Sequence, residues 1–129
     1  MTDLFVDKTA AVLTKVLDGT AARQRVLAQN IANIDTPGYT RRNLEFDEEL
    51  QAAIAQPTAD PVEQINRIAR VNLTETDDTL SPRQADGNNV DIEHEMVDVA
   101  KNSLQYETAA QLLTMQMTLL KNAIHEGRR

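Results

Sequence analysis

The side chains whose types and spacing bear on chemistry gather around one histidine. His94 stands among Asp91, Glu93, Glu95 and Asp98. The spacing Asp91-x-x-His94 puts a carboxylate and an imidazole on one helix face, as the ligand pairs of di-iron carboxylate bundles are arranged. Such a centre needs a second pair, and His125 has Asn122 rather than a carboxylate three residues before it, so the ligand count falls short. His94 is therefore read as a solvated helix residue. The chain has no cysteine, which excludes disulfides, thiolate ligands and cysteine nucleophiles. Ser81 and Ser103 sit in no nucleophile elbow or Gly-rich turn. Asp86-Gly87-Asn88 has too little acidic company for a calcium loop, and no glycine cluster forms a phosphate cradle. Arg41-Arg42 beside Tyr39 could touch phosphate, but two charges are ordinary for a solvated surface or an ion pair. No catalytic, cofactor-binding or metal-ligating residue is expected.

Charge narrows the class further. The 129 residues carry 20 acidic and 13 basic groups, a net charge of -7, which disfavours a nucleic-acid binder. The acidity lies in the middle: residues 1–43 sum to +2, 44–90 to -7 and 91–129 to -2. Four aromatic residues and no Trp leave no base-stacking platform, and no apolar run approaches the roughly 18 to 20 residues of a membrane span. The N-terminus Met1-Thr2-Asp3-Leu4-Phe5 lacks the basic and apolar regions of a cleaved Sec signal.

The elements that carry these residues are legible from periodicity. Val6, Ala10, Leu13, Leu17, Thr20, Gln24, Leu27, Ile31 and Ile34 step 4,3,4,3,4,3,4,3, a heptad stripe along one helix. Ile92, Met96, Val99, Ser103, Tyr106, Ala110, Leu113, Met117, Leu120 and Ile124 continue the same rhythm at the other end. Two stripes of matching length predict an all-α chain folded back as an antiparallel coiled-coil hairpin, with the stripes as its seam. Asp91 caps the second helix, Glu93 and Glu95 suit its positive first turn, Lys121 and His125 its negative end, and Gly127 stops it. Thr36-Pro37-Gly38-Tyr39 has Pro and Gly where a type II turn prefers them.

A second stripe, Val12, Val16, Gly19, Arg23, Val26 and Asn30, runs along the first helix, and Leu112, Met115 and Leu119 lie off the main seam on the last. Either these are scattered surface residues or they pack against other copies or partner subunits. Phe46, Leu50 and Ile54 predict a short amphipathic helix over 45–55. Residues 56–89, with Pro57, Pro61, Pro82 and Gly87, read as a loop too poor in large apolar residues to build its own core. The whole is expected to be one domain: helix 1–35, then turn, short helix and acidic loop 36–90, then helix 91–126.

Residues 30 to 42, Asn30-Ile31-Ala32-Asn33-Ile34-Asp35-Thr36-Pro37-Gly38-Tyr39-Thr40-Arg41-Arg42, resemble the signature of the bacterial flagellar axial family, the rod, hook and hook-associated proteins. The stretch Asp86-Gly87-Asn88-Asn89-Val90-Asp91, with Glu95, Asn102-Ser103-Leu104 and Tyr106, is similar to that of the family's short proximal rod members. The resemblance implies terminal helices paired as a coiled coil in the inner layer of a hollow periplasmic rod, with no enzymatic activity and no cofactor. It implies export by the flagellar type III apparatus without a cleaved signal. The partners it implies are other rod subunits, the rod adaptor and the inner-membrane ring. By residue type, Asn33 can tolerate a left-handed helix end, Pro37 and Gly38 set the turn, and Tyr39 and Arg41 offer lateral contacts. Alternatively, Asn33, Pro37 and Gly38 only terminate a helix. A dilute monomer would show poor hydrogen-exchange protection over 1–34 and 91–124. The competing functional reading is a soluble helical adaptor or chaperone that dimerises into a four-helix bundle.

Overall fold

A computed structural model of the chain describes residues 2–128, with side chains from Asp7 onward, so the Val6 side chain of the expected stripe lies outside the described residues. In chain order the elements are α1 (Thr2–Ala32), β1 (Arg42–Leu44), α2 (Asp47–Ala55), α3 (Pro61–Ala69), β2 (Glu75–Asp77) and α4 (Ile92–Glu126). At 1.5 Å per residue α4 is about 50 Å long. Its start is fixed as expected, with the Asp91 carboxylate accepting from the Glu93 amide at 3.0 Å. The helix α2 falls within the predicted 45–55.

The two long helices pack along one another, and the middle of the chain covers α1 on another side. Val26, Ala22, Leu44, Phe46, Leu50, Ala53, Ile68 and Val71 form the buried core, with Val12 and Val16 packed against it. The second stripe of α1 is thus covered within the chain itself, neither scattered on the surface nor left for another copy. Phe46 lies across it so closely that a Cβ on Gly19 would come within 2.4 Å of the ring, so any side chain here would force the ring to shift.

Residues 56–89 are correspondingly not all loop. Asp60 caps α3 by accepting from the Val62 amide at 2.9 Å, and Pro61 occupies the first turn, where its missing N–H costs nothing. Ile68 and Val71 are buried against α1 and α2. The segment lacks the apolar residues for a core of its own, but two or three suffice to complete one begun by α1. The strand β2 pairs antiparallel with β1, setting Arg42 opposite Asp77 and Leu44 opposite Glu75.

The face by which α4 meets α1 also differs from the expected seam. Its buried positions are Glu95, Asn102 and Ala109, seven residues apart, and Val99 and Leu113 are half-buried beside them. Met96, Met117 and Leu120 are exposed, as is Tyr106 at 45%. The helix is rotated by about one residue from the apolar stripe, because Glu95 and Asn102 bond into α1 and its neighbours. On α1, Leu27 is buried while Leu13, Leu17 and Ile31 are half-buried.

Candidate functional site

The two sequence signatures, some 50 residues apart, meet at the C-terminal end of α1. Asn30, fully buried, uses its whole side-chain amide there. Its Nδ2 donates to the Arg42 carbonyl (2.9 Å) and to Glu95 Oε2 (3.2 Å), while Oδ1 accepts from the Arg42 amide (3.0 Å) and the Tyr39 hydroxyl (3.1 Å). An asparagine suits this position because it offers donor and acceptor together, standing in for a strand partner to β1.

Beyond Ala32, which is exposed, the chain turns through Thr36–Tyr39, with the Tyr39 amide donating to the Thr36 carbonyl at 3.3 Å. Gly38 has φ +74° and follows an exposed Pro37, as a type II turn requires. Asn33 does not use the left-handed conformation that its side chain would tolerate. It stays right-handed, donating from Nδ2 to the Gln29 carbonyl at 2.8 Å and accepting from the Thr36 hydroxyl at 3.1 Å.

The second signature clamps this turn. The Gly38 amide donates to the Asp86 carbonyl at 2.9 Å, and a Cβ on Gly87, whose φ is +85°, would lie 3.4 Å from Gly38 Cα. Asp86 accepts from the Asn88 amide at 3.0 Å and Asn88 Oδ1 from the Val90 amide at 2.8 Å, shaping the loop that delivers buried Val90 and the Asp91 cap. The Asn88 Nδ2 lies 2.8, 3.0 and 2.9 Å from the carbonyls of Asn33, Ile34 and Thr36. Those carbonyls follow the end of α1, where the Thr36 and Tyr39 amides already donate to the carbonyls of Asn33 and Thr36, and an amide from the far end of the chain adds a further donor. Asn89 accepts from the Arg41 amide and donates to the Asp78 carbonyl at 2.7 Å.

At the centre is Arg41, which is 8% exposed rather than free for lateral contact. Its guanidinium meets Glu95 through Nε, Asp98 at 2.9 Å, Asp78 at 3.3 Å and the Asn43 side chain. Burial works against its charge, but Glu95, with Asp78 and Asp98, holds its pKa above the ordinary arginine value. Asp78 is pushed down to about 2, chiefly by the Ser81 hydroxyl at 2.5 Å and also by the Ser81 and Leu80 amides and Arg41. Burial raises the Tyr39 pKa, and the Tyr39 hydroxyl is spent on Asn30. His94 is largely exposed and lies 3.4 Å from Asp98. Among the described residues no group of His, Asp and Glu converges as a metal ion would require.

A smaller polar junction ties the middle of α1 to α2 and α4. Arg23 donates to the Leu44 carbonyl (3.0 Å) and Gln105 Oε1 (3.1 Å), pairs with Asp47, and lies 4.7 Å above the Phe46 ring. Gln105 closes the triangle on Asp47 at 3.0 Å. Nearer the groove between the long helices, buried Asn102 donates to the Thr20 carbonyl (2.8 Å) and to Gln24 (3.0 Å), but its Oδ1 has no partner among the described residues.

Sequence reasoning picked out Asn30, Asn88, Asn102 and Arg41 but not Asp78, Asn43, Arg23, Asp47 or Gln105. Arg23 stood in the second stripe as a cation among apolar residues, a signal that it reaches a buried partner. Asp78 carried no signal, since it lies in an acidic run whose other members are exposed.

Comparison with known proteins places the site in a family context. The family model described as flagella basal body rod protein matches residues 17–40, which contain the α1 half of the junction. The flagellar basal body rod protein FlgB of Escherichia coli is 33% identical over 144 residues, covering 95% of this chain and 99% of that protein. FlgB of Aeromonas hydrophila is 30% identical over 92% of the chain and 93% of its own length, and FlgB of Bacillus subtilis 28% identical over 90% and 92%.

Proposed function

Because the chain belongs to the FlgB family of flagellar basal body rod proteins, it is a structural rod subunit and not an enzyme, and we propose a division of labour between its two ends. The junction around Arg41 sets the geometry of the subunit, and the long helices polymerise. The helices form an antiparallel coiled-coil hairpin within one rod-type domain. This is supported by cross-helix bonds whose numbers run in opposite directions, from Asn30 with Glu95 to Arg23 with Gln105.

The observation that carries the polymer reading is where apolar surface stays uncovered. Of thirteen large apolar side chains exposed among the described residues, eleven lie on α4, including Met96, Met117 and Leu120 of the sequence stripe. A helix that kept those residues in water would lose the benefit of their burial, so their partners are neighbouring subunits. The proposed place is the proximal, periplasmic rod, with the inner-membrane ring, the rod adaptor and further rod subunits as neighbours. Delivery is proposed through the type III export apparatus without a cleaved Sec signal. Among the described residues no helix is long and apolar enough to cross a membrane.

Met117→Asp tests this, because Met117 is 61% exposed and its replacement leaves the chain's own packing intact. In a host lacking the native gene, the variant is expected to give no rods above the inner-membrane ring by electron cryotomography, while the intact gene restores them. Normal rods and swimming with Met117→Asp, at the circular dichroism of the parent, would overturn the reading.

A further inference from the structure

The exposed part of α4 has two sides that differ in shape. Residues 108–120, Thr-Ala-Ala-Gln-Leu-Leu-Thr-Met-Gln-Met-Thr-Leu-Leu, hold no charged residue in a chain that is 26% charged. On one side of this stretch Leu112, Met115 and Leu119, 46%, 59% and 65% exposed, form a ridge. On the other side, nearer the helix start, an open groove of about 530 Å³ runs between α1 and α4. Its walls include Thr20, Ala21, Ala28, Ser103 and Tyr106, mostly small residues that allow close helix approach. Buried Asn102 also lines it, and the Oδ1 of that residue is unsatisfied among the described groups.

We propose that the ridge of one copy seats in the α1–α4 groove of a second copy, so that the contact is heterologous and propagates. This rests on the polymer reading above and names the partner surface. Ridge and groove are matched in charge: the ridge has none, and the groove carries only Arg25 and Glu107, which balance. Joining them therefore strips no unpaired charge of water. Nine residues separate Tyr106 from Met115, or about two and a half helical turns, so ridge and groove face opposite ways with an axial offset of about 14 Å. Two different patches on opposite sides of one helix cannot close a two-fold dimer. They build a staggered row that ends only by closing into a ring or continuing as a helix.

The absence of cysteine makes this directly measurable. Ala21→Cys and Met115→Cys, singly and together, replace the gene in the native host, where swimming shows that rods assemble. Isolated basal bodies are then treated with a short bismaleimide. The double variant is expected to give a ladder extending past dimer, with peptides joined between positions 21 and 115, and neither single variant forms the joined product. Swimming cells with no 21–115 product, or Met115→Cys joined to its own equivalent or to a different protein, would overturn the ridge-in-groove contact and leave the rod reading standing. Swimming in cells from which the gene is deleted would overturn both. A Leu80→Cys/Met115→Cys control, with position 80 at 94% exposure, separates seated contact from collision. An equal ladder from that control also refutes the proposal.

Discussion

Replacing Arg41 by methionine isolates the central ion cluster while keeping the length and apolar stem of the side chain. Arg41 is 8% exposed, Glu95 0% and Asp78 9%, so the substitution leaves two buried carboxylates without their cation. The two are not equally deprived. Asp78 keeps the Ser81 hydroxyl and two backbone amides, whereas among the described residues Glu95 keeps only the Asn30 amide at 3.2 Å. Breaking a buried pair from one side costs about 3–5 kcal/mol. A chain of this size has an unfolding entropy near 0.27 kcal/mol/K, so the expected fall in Tm is about 11–18 °C. Thermal and urea unfolding of the purified chain, followed by circular dichroism, measure it. Glu95→Leu alone should cost less, since Arg41 then retains Asp78 and Asp98. Arg41→Met with Glu95→Leu should cost less than the two singles combined. If Arg41→Met loses under about 1 kcal/mol, or the double variant shows strict additivity, the cluster does not hold the junction together.

Gly19→Ala should destabilise by about 1–3 kcal/mol through collision with the Phe46 ring, and adding Phe46→Leu should recover part of the loss in the same unfolding assay. Asn88→Ala removes the donor shared by the carbonyls of Asn33, Ile34 and Thr36 and should cost about 1–3 kcal/mol, with amide exchange rising first over residues 33–40. Asp78 has its folded pKa lowered to about 2 from 3.8, so its contribution is complete above pH 4 and is lost as the pH falls toward 2. Ser81→Ala removes the largest cause of that shift and should move the acid-unfolding midpoint upward. In place of the poor protection over 1–34 and 91–124 that the sequence suggests for a dilute monomer, the packing of α1 predicts strong exchange protection over 19–30 and 95–109, where both helices are covered, and weak protection over 111–126. Uniformly weak protection would contradict a core that α1 shares with Phe46 and Ile68.

What was legible in the sequence follows the range of the interaction. The Asp91 cap, the Pro37-Gly38 turn and the short helix near Phe46 were readable because each signal lies within a few residues of its effect. The helix α3 was equally readable from Asp60-Pro61, an N-cap followed by proline, but the polar composition around it concealed that signal. The strands β1 and β2 have three residues each and no pattern, and only long-range pairing creates them. The phase of α4 was misplaced for a different reason. A heptad of apolar residues establishes that a face is covered, but not by which partner. The covering of the second α1 stripe by Phe46, Ile68 and Val71 depends on contacts made across the chain. Residue type marks Arg41 for lateral contact, but its neighbours bury it, and of the two readings open for Asn33 helix termination suits its place just past α1.

The polar character of the α1–α4 contact has a consequence for how such a subunit is specified. Two apolar heptad stripes slide past one another by seven residues at little cost, since each step presents the same residue types again. The chain instead joins its long helices through groups that fit only one register: Glu95 with Asn30 and Arg41, Asn102 with the Thr20 carbonyl, and Gln105 with Arg23 and Asp47. A seven-residue slip would leave each of these buried and unpaired, at about 1–3 kcal/mol for each polar group and more for the charges. Polar pins thus set the register within the chain and leave most of the apolar stripe free. The exposed part of the stripe, Met96, Met117, Leu120 and Ile124 among it, remains on the outside of α4, and a subunit whose internal register is already decided offers its neighbours one arrangement of that surface.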